Sequence, residues 1–374
     1  MNFNLHDHTI LLTVSGSRAY GIHTPQSDVD VKGVCVPSKE YFFGVRKRFE
    51  QVDRKSHFDV FAQYLNEEQR VASTREKLEG VIYSLQKFIR LAADANPNIL
   101  DVLFCRNQEI LFQTPLGEKL RENRGLFISA KVKHTFSGYA LAQLKRIKGH
   151  RKWLLEPPKG PPKRSDFDLD EQLLSKHERN CLQDAIRKQL DLWEWDFGDM
   201  QHSDVLYVKN NISEILADMG IHSDNKWIPA ARSLGAAEDL IAHIGKERKF
   251  IGAKRNWQQY QTWRKQRNPI RAEMERKHGY DLKHAAHLVR LLRMGLEILT
   301  TGKINVWRGD IDAEELIAIR NGQWSYEELL EWAGRAGQKL DEVYQAQQYD
   351  IPREPQREKI EGLCIDLITC FLGQ

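Results

Sequence analysis

Apolar and polar positions change their rhythm once along this chain. Up to about residue 113, short apolar runs alternate with turn formers. The runs at 10–14, 29–36, 58–64 and 80–83 have the length and composition of strands. Val29 and Val31 alternate with Asp28 and Asp30, the pattern of a strand with one buried face. Ser84 can cap a helix over 85–95, Asn96-Pro97 breaks it, and 98–104 forms a second short helix. Pro115-Leu116-Gly117 marks a turn or a helix start. Beyond residue 116 the spacing becomes helical. Within 128–148, Val132, Phe136, Tyr139, Ala140 and Leu144 fall on one face. Further helices are expected at 173–197, at 204–219 with Gly220 as its stop, and at 236–244. The rest lie at 256–275 with a break at Pro269, 280–300, 312–321 and 326–346. The tract Pro157-Pro158-Lys159-Gly160-Pro161-Pro162 excludes regular structure. Together these predict an α+β fold. A small mixed-sheet domain, residues 1–115, precedes a mostly helical domain, residues 116–374, with a Pro-rich loop near 157–162.

Composition adds limits. With 374 residues and 41% hydrophobic content, the chain can build two or three ordinary cores. No apolar run approaches the length of a membrane span, so no membrane association is expected. The N-terminus lacks a basic segment followed by an apolar stretch, so no secretory signal is expected. Cys35, Cys105, Cys181, Cys364 and Cys370 are odd in number and widely spaced, which suits reduced thiols in a cytoplasmic protein. The net charge of +4 is too small to imply a nucleic-acid partner by itself. Its distribution says more. Between 131 and 164 stand Lys131, Lys133, Lys145, Arg146, Lys148, Arg151, Lys152, Lys159, Lys163 and Arg164 against Glu156 alone. A second basic stretch, 246–277, is interleaved with Trp257, Tyr260 and Trp263. Basic groups beside aromatics suit a phosphate backbone and stacked bases; they also suit solvated helix faces with buried rings.

The candidate chemistry sits near the start. Gly16-Ser17-Arg18-Ala19-Tyr20-Gly21 is followed by Ser27-Asp28-Val29-Asp30-Val31-Lys32-Gly33. On a strand, Asp28 and Asp30 present two carboxylates side by side, an arrangement that calls for a cation or a retained proton. Mg²⁺ takes oxygen ligands and leaves positions open for phosphate oxygens. Gly16 allows close backbone approach to a triphosphate, Ser17 offers a hydroxyl, and Arg18 offers a guanidinium.

These blocks resemble the nucleotidyltransferase superfamily of DNA polymerase beta. They are closer to a family of bacterial and phage nucleotidyltransferases, the RNA repair pathway polymerase-beta family, whose opening looks like Gly-Ser-x-Ala-Tyr-Gly, then Pro-x-Ser-Asp-x-Asp-x-x-Gly. Pro25-Gln26-Ser27-Asp28-Val29-Asp30-Val31-Lys32-Gly33 fits the second part. The resemblance continues at Ile82-Tyr83-Ser84-Leu85-Gln86-Lys87-Phe88 and Asn96-Pro97-Asn98-Ile99-Leu100. It returns at Gly279-Tyr280-Asp281-Leu282-Lys283-His284, His287-Leu288-Val289-Arg290-Leu291 and Ile319-Arg320-Asn321-Gly322. It implies Asp28 and Asp30 as Mg²⁺ ligands and catalytic residues, with two ions and an NTP substrate. A third carboxylate is required. Where the resemblance places an aspartate the chain has Glu79, and Asp59 in the run 57–61 is the competitor.

Tyr280, Lys283, His284 and His287 are spaced i, i+3, i+4, i+7, one face of a helix that could close over the nucleotide. Lys283 would meet the phosphates, and Tyr280 or His284 the base or sugar. His284 and His287 with Asp281 could instead hold a metal. The expected activity is transfer of a nucleoside monophosphate to an acceptor hydroxyl with release of pyrophosphate. The family resemblance implies an RNA end as acceptor. Adenylylation of a protein or small molecule is the alternative, as is nucleotide or RNA binding without catalysis. No protein partner is legible.

Overall fold

A computed structural model of the chain describes residues 3–24, 27–45, 48–53, 57–75, 78–169, 238–267 and 269–373. The helices expected at 173–197 and 204–219, with Trp193, Trp195 and Gly220, lie outside these residues, as do Cys181, Pro25 and Gln26.

Five strands form one mixed sheet: β1 (Thr9–Ser15), β2 (Asp30–Cys35), β3 (Gln51–Val52), β4 (Glu79–Ser84) and β5 (Ile110–Gln113). Their order is β3-β4-β2-β1-β5. β1 runs antiparallel to β2 and β5, β2 runs parallel to β4, and β3 pairs antiparallel with β4. All seven residues of β1 are buried. Each face of the sheet carries a core. Val29, Val31, Cys35, Phe58, Phe61 and Ile82 belong to the smaller one. Val34, Phe88, Leu100, Phe136, Leu288 and Leu291 belong to the larger.

The described helices are α1 (Leu5–His8), α2 (Gly16–Ala19), α3 (Glu40–Phe43), α4 (Glu67–Arg75), α5 (Leu85–Ala93), α6 (Pro97–Phe104), α7 (Pro115–Glu122) and α8 (Val132–Leu155). They continue with α9 (Glu238–Gln266), α10 (Pro269–His278), α11 (Leu282–Thr301), α12 (Ala313–Arg320), α13 (Tyr326–Gln345) and α14 (Arg357–Leu372). Local chemistry sets many of their starts. The Ser84 hydroxyl accepts from the Lys87 N–H to open α5, which buries Leu85, Phe88, Ile89, Ala92 and Ala93 along one stripe. Asn96 caps α6, with Pro97 in its first turn. The Pro-rich tract is irregular, as its composition requires.

Three expectations need correction. The run 58–64 is a 3₁₀ helix, Asp59–Tyr64, and not a strand. Phe58, Phe61 and Tyr64 recur every three residues, the period at which 3₁₀ side chains align, and Phe58 and Phe61 fill the smaller core. The segments 236–244 and 256–266 belong to one helix, α9. The intervening residues hold no proline, and Gly245 and Gly252 weaken a helix without breaking it. Finally, α11 begins at Leu282 because Gly279 adopts a positive φ of 78° and Asp281 caps the helix, so Tyr280 stands before it. β3, β5 and α14 extend the pattern read from sequence.

Contacts divide the chain into two compact units, Met1–Arg151 with Met274–Gln374, and Lys152–Glu273. In the first, α11 to α14 share the larger core with α5, α6 and α8, so the 115/116 division of the sequence runs through that core. No helix among the described residues is long and apolar enough to cross a membrane.

Candidate functional site

Asp30 is the first residue of β2, and exposed Asp28 lies two residues earlier. Val29 and Val31 point into the smaller core, 4% and 0% exposed. Asp28, Asp30 and Lys32 therefore share the opposite face of the strand. In the parallel β2–β4 ladder, Asp30 is in register with Glu79 and Val34 with Tyr83. Residues in register on neighbouring strands share a face about 4.8 Å apart, so Glu79 joins the aspartates. Asp59, the competitor, lies on the 3₁₀ helix and is exposed.

Asp30 registers this crowding. Its carboxyl is held above the ordinary carboxylate range, first by burial and then by the charges of Asp28 and Glu79. The Lys283 ammonium and, more weakly, Lys32 pull it back down. Burial in turn lowers Lys32, whose ammonium donates to the Asn98 carbonyl at 3.4 Å. Three carboxylates on one face, one of them partly desolvated, offer oxygen donors of the kind Mg²⁺ takes.

The turn after β1 packs directly on Asp30. Gly16 has φ of 66°, and a Cβ there would lie 2.6 Å from Asp30 Oδ2. Glycine is thus required twice, by conformation and by contact. Ser17 follows in α2 and is half-buried. Arg18 is turned away from solvent, 7% exposed. It donates to the Asp28 carbonyl at 3.3 Å, the Ser27 carbonyl at 3.3 Å and Glu68 at 2.9 Å. Its guanidinium braces the backbone that carries Asp28.

On α11 the expected face divides. Lys283 is exposed and acts on Asp30. Tyr280 is fully buried, and its hydroxyl donates to the Trp324 carbonyl at 2.7 Å. His284 turns to Asp281, which also receives His150. His287 is half-buried, and desolvation first, then the charges of Arg290, His284, Lys32 and Arg146, push its pKa down to about 2 and keep it neutral. The structure thus brings Gly16, Asp28, Asp30, Glu79 and Lys283 together, and directs Arg18, Tyr280 and His284 to other partners.

Sequence reasoning missed two parts of this surround. Lys32 was detectable, because it continues the two-residue period of Asp28 and Asp30. The other is a buried network behind the turn. Tyr20 donates to Asp101 at 2.6 Å, and Arg290 lies 3.7 Å from the Tyr20 ring and 3.6 Å from Asp101. Its members are 81 to 270 residues apart in sequence, and spacing gives no hint of it. The same turn is held from the helical part. The Arg308 N–H donates to the Tyr20 carbonyl at 3.0 Å, and Arg320 donates to the Ile22 carbonyl.

The basic stretches are partly consumed in ion pairs. Lys131 bonds Asp94 at 3.0 Å, Lys133 bonds Asp341 at 2.7 Å, and Arg164 bonds Glu247 at 2.5 Å. In the second unit Trp153, Trp257, Tyr260 and Trp263 pack on one another at centroid distances of 5.4–6.0 Å.

An uncharacterized 38.9 kDa protein of Enterobacteria phage T4, in the nrdC-mobD intergenic region, is 29% identical over 149 residues. The match covers 38% of this chain and 40% of that protein's length. No solved structure matches. β1, the Gly-Ser turn, β2 and β4 all lie within residues 3–154, and those residues match the RNA repair pathway DNA polymerase beta family, in agreement with the resemblance of the Gly-Ser turn and the paired aspartates.

Proposed function

We propose that this protein is a Mg²⁺-dependent nucleotidyltransferase that moves a nucleoside monophosphate from an NTP to an acceptor hydroxyl. The observation that carries the reading is the placement of Asp28, Asp30 and Glu79 on one face of β2 and β4, against Gly16 and opposite Lys283. Asp28, Asp30 and Glu79 would hold Mg²⁺, which lowers the pKa of the attacking hydroxyl and neutralises phosphate charge when bound. Gly16 lets the backbone approach the triphosphate, Ser17 offers its hydroxyl, and Lys283 offers a charge-assisted contact to phosphate oxygens. In the reaction the acceptor oxygen bonds to the α-phosphorus and the bond to the α–β bridging oxygen breaks. Pyrophosphate leaves, and the hydroxyl proton passes to a neighbouring base or water. Most of the rate advantage in such transfers comes from positioning and charge neutralisation, which fits a site built from fixed carboxylates and a lysine.

The family description favours an RNA end as acceptor. A protein or small-molecule acceptor is the second reading, favoured by the ion pairs and mutual ring packing that occupy much of the basic and aromatic surface. A labelling experiment separates them. The protein is incubated with Mg²⁺ and each α-labelled NTP, with and without RNA. Label on RNA supports the first reading, label on protein or a small acceptor the second, and no pyrophosphate release with any NTP refutes transfer. Asp28→Ala with Asp30→Ala should lower transfer to background while circular dichroism stays unchanged; surviving activity would overturn the carboxylate assignment.

A further inference from the structure

We infer that His150, Asp281 and His284 form a second metal site, distinct in chemistry from the carboxylate site, that binds one Zn²⁺-class ion through two imidazoles and one carboxylate. These three side chains each offer a ligand atom, and all three atoms lie within 4.8 Å of one another. His150 Nδ1 is 3.2 Å from Asp281 Oδ2, and His284 Nε2 is 3.5 Å from the same oxygen. A tetrahedral zinc with bonds of about 2.0–2.1 Å spaces its ligand atoms about 3.3–3.4 Å apart, so two edges already have the required length. The third edge, between the two imidazoles, is no longer than 4.8 Å, and the ring centroids are 5.8 Å apart.

The carboxylate is divided between two tasks. Asp281 Oδ1 accepts the His284 N–H at 3.0 Å and caps α11, while Oδ2 faces the imidazoles. Asp281 is wholly buried, whereas the two histidine side chains are each 17% exposed. The donor set thus opens toward solvent on the imidazole side, where water can take a fourth position, as in zinc sites with three protein ligands.

The ligands are held before any ion arrives. Arg151, the neighbour of His150 on α8, donates to the Gly279 carbonyl at 2.9 Å and lies 4.2 Å from the Tyr326 ring. Tyr280, the neighbour of Asp281, is fixed through its hydroxyl to the Trp324 carbonyl. α8 and the turn into α11 are therefore joined by contacts other than the ligands, and the ligands inherit their spacing from them. Imidazole nitrogens select zinc and related transition ions over Mg²⁺, whereas Asp28, Asp30 and Glu79 offer oxygen alone.

The test uses the full chain, stripped with chelator, dialysed against Zn²⁺ and freed of loose ion, with zinc measured by mass spectrometry. Co²⁺ replacement then reports the geometry by its visible absorption. One zinc per chain and a tetrahedral cobalt spectrum are expected, both retained in the Asp28→Ala, Asp30→Ala double variant and in excess Mg²⁺. Asp281→Asn keeps an N-cap residue but removes the anionic ligand. That variant and His284→Ala should lose about tenfold or more in zinc affinity, since loss of even a partner that only orients a ligand costs about tenfold. Zinc content at background in the wild-type protein, or affinity unchanged in both variants, overturns the site. Because the carboxylate variant keeps zinc on this proposal, loss of nucleotide transfer and loss of zinc are separable results.

Discussion

Asp30 bears the electrostatic strain of the candidate site. Burial and two neighbouring carboxylates raise its pKa above the ordinary 3.8, so the folded chain holds that proton more tightly than the unfolded chain does. The associated stability is full below the unfolded value and is lost as pH rises through the folded one. Above the unfolded value, without a divalent cation, ionisation of Asp30 therefore opposes folding. Asp30→Asn should stabilise the cation-free protein by about 1 kcal/mol in urea melts, a gain of the kind that follows when a functional group under strain is removed. Added Mg²⁺ should raise the wild-type midpoint and leave that of the variant nearly unchanged. Lys283 acts in the opposite sense, because it eases the ionisation of Asp30. Lys283→Met should cost about 1.5–3 kcal/mol of charged-contact energy, or about 10- to 150-fold in kcat/KM for nucleotide transfer. Its acid limb in the pH–rate profile should move to higher pH, because Asp30 then ionises with less help. Without a divalent cation the melting midpoint should fall slightly, because ionised Asp30 loses its main compensating charge.

At the scale of elements, capping and periodicity decided where helices begin. Ser325 and Glu328 form a reciprocal capping box at the start of α13: the Ser325 hydroxyl accepts the Glu328 N–H at 3.1 Å, and Glu328 accepts the Ser325 N–H at 2.7 Å. Ser325→Ala should destabilise the protein by about 1 kcal/mol, seen as a lower urea midpoint with unchanged slope. Such signals are local, and Ser84 was readable in the same way. The run 58–64 was not. Its apolar residues fit alternation nearly as well as a period of three, and only the packing of Phe58 and Phe61 against the smaller core selects the 3₁₀ form. β3 has two residues, too few to show any period.

At the scale of the molecule, the sheet and the distant helices α11 to α14 meet in one core and support the same turn. Tyr20, Asp101 and Arg290 are its polar centre, with Asp101 3% and Arg290 1% exposed. Asp101→Ala would leave the Arg290 guanidinium buried without this carboxylate. A loss of about 3–5 kcal/mol is expected, the usual cost of breaking a buried ion pair from one side, measured by calorimetry or urea. The loss should extend to nucleotide binding, because Tyr20 lies four residues beyond Gly16 on the turn that packs against Asp30.

The sequence by itself determined the α+β class, the Ser84 helix cap and the pairing of Asp28 with Asp30 on one strand face. All of these follow from residue type and short periodicity, properties carried by a few consecutive positions. Tertiary structure decided the rest. The parallel register of β2 and β4 aligned Glu79 with Asp30 from 49 residues away, and the packing of α8 against the turn into α11 brought His150 to Asp281 across 131. Arg18 and Tyr280 show the same limit from the other side. Each belongs to a motif that suggests a ligand, yet burial directed the guanidinium to carbonyls behind Asp28 and the phenol to Trp324. Which partner a polar side chain takes depends on what folding places beside it, and no local pattern encodes that.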